Sequence, residues 1–477
     1  MLPQSHAFKS GARIALGNQP LQKALGFMKT TGFPAKRLAA VQRLPEFEAL
    51  REEGRTIKDR TLKHLDFYLE TFEANVIATG GHVHWCRTAA EACETILKIC
   101  RALDAKTVTK GKSMVAEEIA LNEYLEKHGI TPVETDLGEY IIQLRHEPPS
   151  HIIAPAIHLV KEQVAETFRA AHTDRDPDRP LNDGRILCDE ARAELRQKFL
   201  AADVGITGAN FLIAETGSSI IVTNEGNGDL TQTLTKAHIV VASLEKVVPT
   251  LEDLSTLNRV LPRSATGQEI SNYFSILTGP KAPQDADGPA HMYVILVDAG
   301  RTGLLGGEME SMLSCIRCGA CMNHCPVYRT VGGHAYGWVY PGPMGSVLTP
   351  AYVGLENALD LPQAATLCGA CEAVCPVRIP LPELLRGLRE KQTERGLRPW
   401  TERAGLGLWA WAARRPAVYA LLSKIGVRLL RTMGGARGRI GRLPLGAGWT
   451  LMRDMPAPEG RTFRELYAAR PQGTRLS

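Results

Sequence analysis

An α/β domain followed by a small, mostly helical cysteine-rich domain and a helical basic tail is the fold class that this 477-residue sequence predicts. Three observations carry that reading. Between residues 75 and 301, short apolar runs alternate with amphipathic stretches, the pattern of a largely parallel sheet covered by helices. Between Cys315 and Cys375 lie seven of the eleven cysteines, in two runs of nearly the same spacing. Across residues 401–453, ten Lys and Arg stand against one acid, Glu402, a local +9 inside a net charge of +5 that leaves about −4 elsewhere.

Residues 1–73 form the first segment: a mixed basic arm to Arg43, expected to order against a partner or subunit, then one helix over 45–73 with Phe47, Leu50, Ile57, Leu62, Leu65, Phe67 and Leu69 among many charges. Residues 74–301 form the α/β domain. Strands are expected at 75–78, 82–85, 107–109, 152–154, 210–215, 219–223, 238–242 and 293–297. Helices are expected at 89–103, 113–128, near 157–170 and near 190–202. Lys110 and Lys112 flank a glycine just before Ser113, suited either to holding an anion at a helix start or to a solvated loop. His82 and His84 share one face of a strand; they would line a cleft or hold one metal, with Cys86 about 13 Å from His82 and out of reach. Asn210, Glu215, Asn224, Glu225 and Asp229 surround a pair of apolar strands whose glycines do not make a dinucleotide fingerprint.

Residues 302–395 hold the cysteines. The run C-I-R-C-G-A-C-M-N-H-C-P places Cys315, Cys318, Cys321 and Cys325 at gaps of two, two and three ahead of Pro326, the ligand order of a bacterial-type two-cluster ferredoxin. A second run, C-G-A-C-E-A-V-C-P, supplies Cys368, Cys371 and Cys375 before Pro376. Crossed pairing assigns Cys315, Cys318, Cys321 and Cys375 to one 4Fe-4S cluster and Cys325, Cys368 and Cys371 to a second. Ala365 stands where the second run would have its first thiol. The second cluster is then a 4Fe-4S with a ligand from elsewhere, a 3Fe-4S, or a cluster with one iron open to substrate. A zinc site or a disulfide framework competes, but structural zinc closes with four ligands in CxxC pairs. Cys86, Cys93, Cys100 and Cys188 are scattered, as in a reducing compartment. Between the runs, the density of Gly and Pro forbids a long helix, and Tyr336, Trp338 and Tyr340 alternate with small residues, placed to shield a cluster from water or to meet a partner. An amphipathic helix is expected over 381–395.

Residues 396–477 are the tail, where Trp-rich apolar stretches carry arginines suited to a membrane surface or an acidic subunit, or to a plain helical hairpin. No nucleic-acid module accompanies the charge. Without an apolar run long enough for a signal peptide or a span, a soluble cytoplasmic protein is expected, with peripheral attachment to the inner face of the membrane left open.

These residues resemble the lactate-utilisation protein B family of iron–sulfur proteins. The resemblance rests on the two unequal cysteine runs, G-G-H-A-Y-G-W-V-Y-P-G-P-M-G between them, T-G-G-H-V-H-W-C and I-A-E-T-G-S-S-I-I-V-T-N-E-G-N before them, and the basic Trp-containing tail, over residues 60–449. It implies an α/β domain of the lactate-utilisation (LUD) type, related to sugar-phosphate isomerase and coenzyme A transferase folds, joined to a two-cluster ferredoxin module. It further implies electron transfer in the oxidation of L-lactate to pyruvate beside companion subunits of the A and C types, toward a quinone or another acceptor. Three other readings stay open: an enzyme whose open iron acts as Lewis acid on a hydroxy acid, the iron–sulfur subunit of a glycolate-type oxidase, and an interaction scaffold with structural clusters.

Overall fold

Six parallel strands make the platform on which the larger part of the chain is assembled. The computed structural model describes residues 3–30, 32–444, 446–450 and 453–470. Met1, Leu2 and Thr31 of the expected arm, and Leu445, Leu451, Met452 and residues 471–477 of the expected tail, lie outside them. The strands in chain order are β1 (His82–Cys86), β2 (Thr107–Gly111), β3 (Thr131–Glu134), β4 (Val204–Thr207), β5 (Phe211–Ile213), β6 (Ser218–Thr223), β7 (Ala237–Ser243), β8 (Val247–Val248), β9 (Tyr273–Leu277) and β10 (His291–Val297). The main sheet has the order β1-β10-β7-β4-β2-β3, parallel throughout. A smaller sheet, β8-β5-β6-β9, stands beside it.

Strand β7 shows why the sequence settles there. Successive side chains point to opposite faces, so Ile239 and Val241 join Cys93, Ile96 and Cys100 of the helix Ala89–Ala102 in one core. Val240 and Ala242 join Leu69, Phe72 and Val76 of the helix Leu65–Ala78 in the other. A strand covered on both sides is apolar along most of its length, which is how residues 239–242 of β7 and 294–297 of β10 read in the sequence.

Several expectations are corrected. Residues 75–78 are the last turn of a helix: Leu65, Leu69, Phe72 and Val76 repeat every three to four residues, and that period outweighs the strand preference of one short run. The single helix over 45–73 is two, Phe47–Lys63 and Leu65–Ala78, broken at His64. The helix over 113–128 is likewise two, Met114–Glu118 and Leu121–Lys127, separated by Ala120 at φ +58°. Residues 152–154 are irregular, because they cover the cysteine loops instead of joining a sheet. Strands β3, β4, β8 and β9 went unread. Gly342–Val353 is a helix despite its composition: Pro343 occupies the first turn, where its missing N–H costs nothing. The arm is three helices, Phe8–Gly17, Gln19–Thr30 and Phe33–Gln42, and it orders against its own chain, with Gln4 N donating to Gly337 O at 2.7 Å and Gln22 Nε2 to Thr330 O at 2.9 Å.

The described chain divides into two compact units, residues 1–392 and 393–477. The second contains the helices Trp400–Ala413 and Pro416–Gly434, a pair of two-residue strands, and the helix Phe463–Ala468. Leu406, Leu408, Trp409, Trp411, Leu421 and Leu429 are exposed on it. Among the described residues no helix is long and apolar enough to cross a membrane.

Candidate metal centre

The two cysteine runs fold into the same backbone shape. In the first, Arg317 (φ +58°) precedes Cys318, and Gly319 (φ +74°) turns the chain into the short helix Ala320–His324 that ends at Cys325. In the second, Leu367 (φ +56°) precedes Cys368, and Gly369 (φ +81°) leads into Ala370–Ala373 just ahead of Cys375. This matched pair of left-handed positions puts Ala365 in the place that Cys315 holds in the first run. The glycine of each pair takes the left-handed step without a Cβ penalty.

The seven thiols gather around two cavities. Cys315, Cys318, Cys321 and Cys375 line one, with Ile152, Met312, Ile316 and Val377 as its apolar wall. Cys325, Cys368 and Cys371 line the other, with Ala365, Thr366 and Leu367 completing the rim. Each cavity draws on both runs. The second is the more open, since Thr366, Leu367 and Cys368 are exposed whereas Cys318 and Cys375 are buried.

Burial, aided by the charge of Cys315, pushes the Cys375 thiol up to about 11, and burial together with Cys325 pushes Cys371 up to about 12. Cys318, Cys321 and Cys325 are raised for the same reason. Cys368 alone moves down, held by a hydrogen bond from the Thr366 side chain. Thiols crowded in an apolar pocket become thiolates only around a positive core, and an all-sulfur donor set suits an iron–sulfur core. Among the described residues no three His, Cys, Asp or Glu side chains converge on one point as the ligands of a single ion do. The thiols, gathered from both runs around two cavities, fit clusters, whose corners take several thiolates at once.

The N-terminal helices hold the second run in shape. Arg51, 5% exposed, donates from Nε and Nη2 to Cys375 O at 3.0 and 2.8 Å, and from Nη2 to Ala373 O at 2.9 Å. His151 Nε2 and Asn323 Oδ1 are 3.0 Å apart, which ties the α/β domain to the first run. Tyr336, Trp338 and Tyr340 are all buried, and Tyr336 lies beside Cys325.

A buried charge network faces the first cavity from the C-terminal edge of the sheet. Glu245, just beyond β7, meets Arg301 at 3.1 Å and Arg317 at 3.2 Å, and its carbonyl accepts from Lys58 Nζ at 2.5 Å. Arg301 also meets Glu118 at 2.7 Å, and the Tyr340 hydroxyl donates to that carboxylate at 2.5 Å. The charge of Cys315 acts on Lys58, Lys246 and Arg317 alike. The sequence reading missed Arg51, Glu245, Lys246, Arg301 and Arg317. Charged residues just beyond the apolar run 239–242 were the available signal for Glu245 and Lys246; Arg51 had none among its charged neighbours.

The other candidates resolve differently. Lys110 is fully buried between Glu117 at 2.5 Å and Glu134 at 2.6 Å, and Lys112 pairs with Asp136, so neither is an anion hook or a solvated loop residue. Ser113 does cap the helix after it, accepting from Ala116 N at 3.1 Å. His82 and His84 stack on Tyr293 with centroids 5.2 and 6.2 Å away. Glu215 accepts from Leu251 N at a helix start, Glu225 from Leu137 N, and Asp229 bonds Ser275. Asn210 and Asn224 line a cavity at the sheet edge.

Comparison with known proteins agrees with this arrangement. The LUD domain family matches residues 69–297, the 4Fe-4S dicluster domain 311–379, and the C-terminal domain of lactate utilisation protein B 386–472. Lactate utilization protein B of Bacillus licheniformis is 43% identical over 469 residues, covering 97% of this chain and 96% of its own. That of Anoxybacillus flavithermus is 45% identical, covering 91% and 92%, and that of Bacillus subtilis 42%, covering 98% and 97%. A solved structure of a DUF162 family protein from Deinococcus radiodurans covers 49% of this chain and 98% of its own at 14% identity, with a TM-score of 0.28, too low to bear on the fold.

Proposed function

Since this chain belongs to the lactate utilisation protein B family, we propose that it is an iron–sulfur electron carrier in the oxidation of L-lactate to pyruvate. The observation that supports this is the division of the seven cysteines into four and three around two adjoining cavities, each ringed from both runs. The cavities are close enough for Cys371 of one set to act electrostatically on Cys321 of the other. In this reading Cys315, Cys318, Cys321 and Cys375 hold a 4Fe-4S cluster, and Cys325, Cys368 and Cys371 hold a second of four-iron or three-iron type. Bound there, the clusters supply one-electron sites a short hop apart.

The protein's part is to position and to insulate. Tyr336, Trp338 and Tyr340 keep water out, Arg51 fixes the loop that carries Cys375, and Arg317, Lys58 and Lys246 supply positive charge beside the first cavity. In this division residues 1–73 brace the cysteine loops, 74–301 is the LUD-type domain, 302–395 carries the electrons, and 396–477 makes contacts. Companion subunits of the A and C types provide oxidation and an exit toward a quinone or another acceptor. The exposed tryptophans and leucines of the basic tail support contact with the cytoplasmic face of the membrane. Anaerobic EPR tests the reading: clusters in the chain mixed with its companions are expected to become reduced on addition of L-lactate. Clusters that stay oxidised in the complete mixture contradict it.

A further inference from the structure

The smaller sheet ends on an open strand. In its order β8-β5-β6-β9, Val247 and Val248 of β8 are fully buried, whereas β9 is joined on one side only, to β6, among the described residues. Backbone groups alternate between the two sides of a strand, which fixes the amides of β9 that are left over. Asn210 N donates to Ile220 O at 2.7 Å and Val222 N to Asn210 Oδ1 at 2.9 Å, so Ile220 and Val222 of β6 face β5. Ser219, Ile221 and Thr223 therefore face β9, where they stand opposite Leu277, Ser275 and Tyr273. The N–H and C=O groups of Phe274 and Ile276 are directed away from the sheet.

The side chains at this edge are apolar and lack charge. Ile270 is 75% exposed and Ile276 48%, and Tyr273 and Phe274 are exposed with them. On the other face Ser275 bonds Asp229 of the helix Asn227–Thr233, which adds the exposed Leu230. From Ile270 to Pro280 no residue is charged, and Glu269 at the border is matched by Arg43 at 2.5 Å. Open edges are ordinarily guarded by a lysine, a proline, a bulge or a covering element. Strand β9 contains neither lysine nor proline, and its register with β6 is unbroken. Both of its ends are pinned, by Asn272 N donating to Asn224 Oδ1 at 3.3 Å and by Ser218 Oγ lying 2.6 Å from Thr278 Oγ1, so the edge is already formed.

We propose that β9 pairs with β9 of a second copy of this chain, antiparallel about a two-fold axis at Ser275. Electrostatics select this occupant: an uncharged edge offers nothing to a nucleic acid, an anionic lipid surface or a charged peptide, whereas two copies of it meet with no like charges opposed. Geometry agrees. With the axis at Ser275, Phe274 stands opposite Ile276 of the second copy, and Ile276 opposite its Phe274. Both residues turn their backbone groups outward, so each donor meets an acceptor across the axis, and an aromatic side chain meets a β-branched one on either side of it. The two small sheets become one, and the interface is isologous, so assembly closes at the dimer.

Sedimentation velocity on the anaerobically purified full chain, clusters included, tests this. A dimer is expected at micromolar concentration. Ile276→Lys and Phe274→Glu each set a charge opposite an apolar side chain and are expected to weaken the dimer by about a hundredfold. Both positions are exposed, so the circular dichroism and cluster absorbance of each variant should match wild type. The double variant Phe274→Glu/Ile276→Lys sets a carboxylate opposite an ammonium on both sides of the axis and is expected to recover most of the lost affinity. A wild type that stays monomeric, a single variant that dimerises as tightly as wild type, or a double variant no tighter than the single ones overturns the proposal. A dimer whose clusters L-lactate never reduces would count against the electron-carrier reading alone.

Discussion

Arg317 sits between Ile316 and Cys318 with its side chain 8% exposed, its guanidinium 4.8 Å from the centre of the Tyr340 ring and 3.2 Å from Glu245. A cluster held by four thiolates is negatively charged, and more so when reduced, so a buried cation beside it favours the reduced form. Arg317→Met is therefore expected to lower the midpoint potential of the first cluster by on the order of 50 mV, near the 59 mV that a tenfold change represents for one electron. An EPR-monitored redox titration reads it, and an unchanged potential with the cluster retained contradicts it. His238 gives a second prediction at this scale. It is fully buried, its Nε2 lies 2.8 Å from Thr207 Oγ1, and burial pushes it down to about 4 from an ordinary 6.5. Between those values the unfolded chain binds a proton that the folded ring refuses, so stability falls as pH drops from 6.5 toward 4. At pH 5 the loss is about 2 kcal/mol. His238→Gln should abolish that share, seen in urea unfolding as a wild-type advantage smaller by that amount at pH 5 than at pH 7. The thiols were legible in the sequence because their spacing is local. Glu245, Arg301 and Arg317 were not, since they come from three segments that only the fold brings together.

At the scale of elements, the two cysteine runs repeat one backbone shape with one thiol missing. Ala365→Cys places a thiol where Cys315 stands in the first run and is expected to protect the second cluster from iron loss. The readout is a weaker three-iron EPR signal after brief oxidation, and an unchanged signal contradicts the equivalence. Sequence spacing showed the repeat, whereas the positive φ of Leu367 and Arg317 that makes it geometric did not show. Short apolar runs were the hardest elements to read. Residues 75–78 and 152–154 resemble strands by composition, yet Val76 belongs to a helical stripe and Ile152 to the walls of two cavities. Both assignments depend on partners far along the chain. Strands β7 and β10 were readable because burial on both faces leaves residues 239–242 and 294–297 wholly apolar.

For the whole molecule, the C-terminal edge of the sheet and the cysteine loops form one continuous region within residues 1–392, joined by the Glu245 network, His151 with Asn323, and the N-terminal helices. That joining was the least legible feature. The sequence reads as a succession of segments, and the arm looks free until its contacts with Gly337 and Thr330 are seen. Its central consequence, on the proposed function, is that cysteines from both runs would serve each cluster. The most direct test is Mössbauer and EPR spectroscopy, with iron and sulfide analysis, on anaerobically purified wild type, Cys318→Ser and Cys325→Ser. The wild type is expected to hold about seven to eight irons in two centres, with Cys318→Ser altering only the first and Cys325→Ser only the second. A single centre, no iron, or both substitutions disturbing the same centre would contradict the account.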